Sequence, residues 1–358
     1  MNLKSAKKAV QTSILSKRWK NLWSSLPDLD FDFKLFASLN NVDLSWPHQN
    51  RRLMLRFTDY VSHFLSRRDD TSSIREFKLK SCELASTYST FVEKCLDYAI
   101  NHGVQTLDID AYCYPTPFEF PVNLFRVKSL TILRLKQYSN SVVILKPFIL
   151  PNLKTLYLER FHFDGNIYSF SKEPFSSLPN LEELTLHRCE LLGLTISASK
   201  LRILEISFEY PLFSFEAKME KISAPSLTSF RYEGYVPLVC PKVDFPCLEE
   251  VYVDNFANVQ LPYRDGIEPL NLMKMLQQLE NAKFVALTLG TIQVLATDAN
   301  LLEQSPSPFP HMRKLKLIRR PCMIHPIDIV PLNVMNYLTN GSSFGESLVV
   351  EFPQGIEG

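Results

Sequence analysis

Apolar residues along this chain recur as a triple: the second lies three positions after the first, and the third lies two positions after the second. It reads Ile74–Phe77–Leu79, Val104–Leu107–Ile109, Leu130–Leu133–Leu135, Leu153–Leu156–Leu158 and Leu181–Leu184–Leu186. It continues as Leu201–Leu204–Ile206, Leu227–Phe230–Tyr232 and Leu248–Val251–Val253, then less clearly as Phe284–Leu287–Leu289 and Met312–Leu315–Leu317. Residues two apart on an extended backbone share a face, and the residue between them takes the other. Each triple therefore predicts a short strand with one apolar side. One such strand cannot bury that side alone, so the copies are expected to stack in chain order as a parallel sheet backed by return segments.

Successive triples start 30, 26, 23, 28, 20, 26, 21, 36 and 28 residues apart, around the 20–29 or so residues of a leucine-rich repeat. Pro151, Pro179, Pro225, Pro246 and Pro310 each stand two residues before the first apolar position of a triple. Proline ends a helix and favours extended geometry before it, so it marks where a return segment closes and a strand opens. The ninth repeat position carries Cys82 and Cys189, and elsewhere Tyr112, Tyr138, Phe161, Tyr235 and Phe256. Small or flat buried side chains fit there, and packing is the expected role of these cysteines. Helical spacing of apolar residues predicts helices over 51–66 and 89–101, the second capped by Ser89 or Thr90. Residues 37–50, 262–270 and 303–310 read as loops, and Leu348–Phe352 as a last strand. The expected fold is thus α/β: a leucine-rich-repeat solenoid. A curved parallel sheet would form its concave face, irregular helices and loops its convex side, and a short helical cap its N-terminal end. The expected division is 1–35 as a helical segment, 36–73 as linker and helix, and 74–358 as the repeat array.

Composition narrows the function more than the fold. The chain has 358 residues, 46 % hydrophobic and 22 % charged, with a formal net charge of +1. That predicts a folded chain with no global pull toward nucleic acid or acidic membrane. Only 10 glycines stand against 23 prolines, which disfavours glycine-rich phosphate loops. The seven cysteines contain no CxxC pair and are odd in number, which points to a reducing compartment. With neither a membrane-length apolar run nor a secretory signal, the expected location is cytoplasmic, nuclear or both. Residues 1–23 hold six basic residues and no acid, a pattern that also suits an organelle transit peptide.

A second explanation fits that segment. Residues 9–23, AVQTSILSKRWKNLW, resemble the second half of the F-box of plant F-box/leucine-rich-repeat proteins, through Ala9, Val10, Thr12, Ser13, Leu15, Ser16, Lys17, Arg18, Trp19, Leu22 and Trp23. Residues 26–31, the SRRD run at 66–69 and Ala99–Gly103 also resemble that family. The resemblance implies a non-enzymatic substrate-recognition subunit of a Skp–cullin–F-box ubiquitin ligase, with a Skp-type adaptor and a cullin as partners. It implies adaptor contacts at Ile14, Leu15, Lys17, Trp19, Leu22 and Trp23. Read from the residues alone, the apolar set of this segment either enters a partner groove or, for Trp19 and Trp23, caps the repeat core. The family's F-box opens with a further Leu-Pro helix upstream, so an N-terminally truncated F-box is expected. The alternative is a stand-alone repeat protein without adaptor binding.

No chemistry competes with a binding role. The seven histidines give no HxxxH or HExxH, and there is no GxSxG, Walker loop or GxGxxG. Neither metal nor cofactor is expected. Asp108 and Asp110 alternate on one strand face, where solvated recognition residues are the expectation. The outward positions mix signs and interleave aromatics, which suits a protein surface better than a phosphate backbone. The expected target-binding patch lies in the fourth to eighth repeats: Tyr157, Glu159, His187, Glu205, Arg231, Glu233, Tyr252 and Asp254. The target is a protein of unknown identity. Tyr232 falls at an inward phase and belongs to the core.

Overall fold

A computed structural model describes residues 22–42, 47–80, 89–111, 118–137, 148–161, 173–208, 217–255, 267–320, 329–340 and 349–351. Ile14, Leu15, Lys17 and Trp19 lie outside them, as do the ninth-position residues Cys82, Tyr112, Tyr138 and Phe256. The chain divides into two compact units, Met1–Phe161 and His162–Gly358.

In the first unit the elements are β1 (Asp28–Asp32), α1 (Phe33–Ser38), α2 (Pro47–Ser66), β2 (Glu76–Lys80), α3 (Ser89–Asn101), β3 (Thr106–Ala111), β4 (Ile132–Gln137) and β5 (Thr155–Glu159). The strands pair in parallel, in chain order. The second apolar positions form one register row, Leu29, Phe77, Leu107, Leu133 and Leu156. The third positions form the next, Phe31, Leu79, Ile109, Leu135 and Leu158. All ten side chains are buried. β1 is the departure from expectation, because it interrupts the helical cap foreseen over the first 35 residues. Leu26–Leu29–Phe31 repeats the triple, but 48 residues separate Leu26 from Ile74 and hide it from a search by period.

Two short motifs hold that unit in register. The SRRD run places Arg68 beneath the turn after α2, 4 % exposed. Its guanidinium donates to the carbonyls of Ser72 (2.7 Å), Leu26 (2.9 Å) and Ser73 (2.9 Å). It therefore ties the approach to β1 to the approach to β2. At the end of α3, Gly103 has φ +71°, the left-handed conformation glycine adopts without a Cβ penalty. The N–H of Gly103 then reaches Ile100 O and that of Val104 reaches Ala99 O, the paired bonds that close a helix in a Schellman motif. Val104, the next repeat's first apolar residue, is thereby delivered into the core.

In the second unit the elements are β6 (Glu183–His187), β7 (Leu194–Ser197), β8 (Ile203–Phe208), β9 (Ala217–Ser223), β10 (Ser229–Gly234), β11 (Leu238–Val239), β12 (Val243–Asp244) and β13 (Glu250–Asn255). They are followed by α4 (Ile267–Gln277), β14 (Phe284–Thr288), α5 (Leu289–Leu295), α6 (Ala299–Glu303), β15 (Lys314–Ile318), α7 (Leu332–Thr339) and β16 (Val349–Glu351). The repeat strands run β6-β8-β10-β13-β14-β15-β16, all parallel. Parallel strands stacked in chain order, one per repeat, make this a leucine-rich-repeat fold.

Two details differ from the reading of the sequence. Val251 pairs with Val285 and Val253 with Leu287, so the ninth repeat is Ala282–Val285–Leu287. Phe284, the first apolar residue by spacing, is 44 % exposed, while Ala282 is fully buried. In addition, three return segments contain strands rather than loops: β7, β11 and β12 each pair with β9 in a second parallel sheet. The alternation of buried Ala217 and Met219 with exposed lysine and glutamate is what makes β9 a strand.

The phased prolines have one structural explanation. Leu153 N–H bonds to Leu150 O (3.2 Å), Leu181 to Leu178 (3.3 Å), Leu227 to Ala224 (3.0 Å), Leu248 to Phe245 (3.3 Å) and Met312 to Phe309 (3.2 Å). Each is a four-residue turn with proline at its second place, where the ring pre-sets φ. The residue opening each turn is itself buried, so every turn pins a repeat to the core at both ends.

Candidate functional site

Alternation puts polar residues on the opposite side of each strand from the core, and these outward rows carry the residues available for recognition. Among the expected adaptor residues, Leu22 begins a 3-10 turn at Leu22–Ser25. Trp23 is half-buried, its ring 5.2 Å from that of Phe64 on α2. Phe64 in turn stacks edge-on to Phe31 at 5.4 Å. The indole thus belongs to an aromatic cluster that covers the first strand of the array.

In the first unit Tyr157 and Glu159 stand half-buried on the outward side of β5. Tyr157 Oη donates to Glu159 Oε2 (2.9 Å), and Lys136 Nζ lies 5.7 Å from the tyrosine ring centre. Asp108 and Asp110 are not solvated, as their phase suggested: they are 7 % and 9 % exposed. Burial pushes the carboxyl of Asp110 up to about 6, although Lys136 at 3.5 Å pulls the other way.

In the second unit the outward side chains of β10 and β13 form a connected group. Arg231 and Tyr252 are register partners, and the guanidinium lies 3.8 Å from the ring centre, a cation–π stack. Arg231 Nε also donates to Glu233 Oε1 (2.9 Å), and Tyr252 Oη donates to Asp254 Oδ2 (3.3 Å). Arg320, just beyond β15, bridges both acids. It pairs with Glu233 at 3.1 Å and with Asp254 in close contact. Thr288 Oγ1 adds a bond to Asp254 Oδ1 (2.7 Å). Burial opposes the ionisation of Glu233, but Arg231 and Arg320 outweigh it and lower its pKa. At Asp254 burial dominates and the pKa is raised, with Thr288 and Arg320 offsetting part of the effect.

The structure therefore sorts the expected target residues. Arg231 and Tyr252 reach the surface as a rigid pair, and His187 and Glu205 stand half-exposed on β6 and β8. Asp254 is a correction: it is 1 % exposed and already bonded to Thr288 and Arg320, so it positions its neighbours from beneath. Sequence reasoning missed Arg320 because it lies past the end of its strand, beyond the outward positions Lys316 and Ile318. Its only signal was a pair of arginines, Arg319 and Arg320, at the exit of a strand in an array with acidic outward positions. Among the described residues no group of three or more His, Cys, Asp or Glu is arranged to hold a metal ion, and no helix is long and apolar enough to cross a membrane. Cys189, at the ninth repeat position, is buried, with Sγ 3.6 Å from His187 O.

No family model matches the chain. Individual proteins do. An F-box/LRR-repeat protein of Arabidopsis thaliana is 27 % identical over 297 residues, 81 % of this chain and 59 % of that protein. A putative F-box/LRR-repeat protein of the same plant is 26 % identical over 322 residues, covering 81 % and 68 % of the two chains. An F-box/FBD/LRR-repeat protein, again from Arabidopsis thaliana, is 30 % identical over 235 residues, covering 62 % and 48 %. The chain thus spans 59 % of the length of the first of these relatives.

Proposed function

We propose that this chain, which belongs to the plant F-box/leucine-rich-repeat family, is the substrate-recognition subunit of a Skp–cullin–F-box ubiquitin ligase. The N-terminal segment, through Ile14, Leu15, Lys17, Trp19 and Leu22, engages a Skp-type adaptor. The outward strand face of the second unit selects the target through His187, Glu205, Arg231 and Tyr252, while Tyr157 and Glu159 of the first, bonded to each other, contribute little. Glu233 and Asp254 hold the arginines in place. The protein supplies proximity and performs no bond chemistry itself. The observation that supports this reading most is the contrast between the two sides of every strand. The inward rows repeat one kind of residue, whereas the outward rows change from strand to strand and include the preorganised Arg231–Tyr252 pair. Rigid aromatic and arginine side chains are what dominate interface energetics.

Co-purification of a Skp-type adaptor and a cullin with the tagged chain tests the proposal, with one of the Arabidopsis relatives handled in parallel. Recovery of the adaptor with both supports the ligase role. Recovery with the relative alone favours the second reading, a repeat protein that binds its partner without ubiquitin transfer. The packing of Trp23 against Phe64, which uses that indole for the array itself, is the observation on the side of the second reading.

A further inference from the structure

One outward row of the second unit runs Glu205, Arg231, Tyr252, Ala286 and Lys316 across β8, β10, β13, β14 and β15. Four of these side chains are long and the other is a single methyl. The missing bulk leaves a depression of about 310 Å³ at Ala286, between Tyr252 on one side and Lys316 on the other. Phe284, two residues earlier on β14 and on the same face, is 44 % exposed and lines it. A tyrosine ring, a methyl and a phenyl therefore share one concavity on a surface that is otherwise polar.

The rim is charged unevenly. Glu205 and Glu250 line the depression and make no ion pair among the described residues. Lys314 and Lys316, opposite, share the carboxylate of Glu351, so half of their charge is already met. Arg231 is likewise engaged by Glu233. A second depression of about 320 Å³ adjoins the first at Ser229 and Glu250. Its lining adds Glu182, Glu183 and Glu249 against one arginine, Arg202. Glu249 is met by Lys283, and the acids left unmet at the edge of the apolar concavity are Glu205 and Glu250.

We propose that this face of the second unit binds a short segment of a partner protein in which a bulky apolar side chain is flanked by basic residues. The apolar side chain seats on Ala286 between Tyr252 and Phe284, and the flanking cations meet Glu205 and Glu250. An acidic segment would find its countercharges already shared with Glu351. The inference rests on the reading that the outward face captures the target, and it names the chemical class of that target.

Fluorescence polarisation with the full chain and three labelled peptides tests it: Gly-Lys-Lys-Phe-Lys-Lys-Gly, the same peptide with Ala for Phe, and the same peptide with Glu for every Lys. The basic Phe peptide should bind best, with about tenfold loss for the Ala form and no saturable binding of the acidic form. Ala286→Arg, which fills the depression from the solvent side, should weaken the basic Phe peptide by about tenfold or more. Should that variant fail to fold, the double variant Glu205→Gln, Glu250→Gln decides, with several-fold weakening expected. Equal affinity for all three peptides, or equal affinity for native and substituted chains, overturns the proposal. Preference for the acidic peptide with sensitivity to Ala286→Arg overturns the chemistry assigned here and leaves the outward face as the capture surface. A failed adaptor co-purification, by contrast, bears on the ligase role and leaves this binding unaffected.

Discussion

The two units use one repeat scaffold but present opposite kinds of outward face. In the first, register neighbours alternate in sign: Asp30, Lys78, Asp108 and Arg134 in one row, Asp32 against Lys80 and Asp110 against Lys136 in the next. Opposite charges facing each other across strands each stabilise a sheet by roughly 0.2–1 kcal/mol, and here they bring Asp110 to Lys136 and Asp28 to Arg75 as ion pairs. In the second, acids crowd toward β6, β8 and β13, lysines stand on β15, and a gap opens at Ala286 between them. The inward rows are interchangeable between the units. The outward rows divide the labour, with the first face holding the array together and the second offered to a partner.

The largest expected effect tests the scaffold and leaves the second face untouched. Arg68→Ala removes three carbonyl contacts at a buried site in the first unit. It should lower the stability of that unit on the order of 3 kcal/mol in urea unfolding. Peptide affinity at the second unit should not change. The corresponding scaffold test in the second unit is Gly234→Ala. A Cβ there would lie 2.6 Å from Tyr232 Oη and 3.2 Å from Phe208 O. The expected loss is about 1–3 kcal/mol, part of it recovered when Tyr232→Phe removes the hydroxyl. That hydroxyl also bonds Val236 O, so the recovery is read against Tyr232→Phe alone, and a double variant that loses the full sum of the two single losses would show that the clash is with the backbone instead.

Truncations on the two faces should part company. Arg231→Ala and Tyr252→Ala should each weaken target capture by about 1–2 kcal/mol with little loss of stability. Tyr157, whose hydroxyl is already bonded to Glu159, should cost under about 0.5 kcal/mol of capture when changed to Ala. Titration calorimetry with the captured target distinguishes these outcomes, and equal losses at Tyr157 and Tyr252 would dissolve the distinction between the faces.

The first face carries a pH signature. Burial raises the Asp110 carboxyl from 3.8 to about 6, so between those values the folded chain holds a proton that the unfolded chain has released. The group's contribution to stability is full below about 3.8 and is lost as pH rises through about 6. Asp110→Asn should flatten that part of the stability–pH curve and raise stability at pH 7 by about 1 kcal/mol, once solvent screening is allowed for.

How much of this was legible follows from which interactions are local. A two-residue alternation dictates the facing of each strand. Leu156, Leu184 and Leu204 could therefore be placed inside, and Tyr157 and Glu205 outside, without coordinates. The turn prolines and α3 were readable for the same reason. β1 was not, because the segment between Leu26 and Ile74 is far longer than a repeat. The ninth repeat was misphased because an exposed Phe284 looks more like a core residue than a buried Ala282 does. Strand phase alone puts Asp254 in water, because its burial depends on Arg320 and Thr288, which approach from other repeats. The concavity at Ala286 exists only across strands, so no single stretch of chain reveals it.

The central claim is that cations on the first face offset the cost of its buried acids, whereas charge on the second serves recognition. It is tested most directly by a matched pair, Lys136→Ala on β4 and Glu250→Ala on β13, each assayed for urea stability and for affinity to the basic Phe peptide. Lys136→Ala removes the cation 3.5 Å from Asp110 and should lower stability by about 0.5–1 kcal/mol with affinity unchanged. Glu250→Ala should leave stability within about 0.5 kcal/mol of native and weaken the peptide several-fold. If Lys136→Ala weakens the peptide as much as Glu250→Ala does, or if Glu250→Ala destabilises the chain as much as Lys136→Ala, the two faces do not differ in kind.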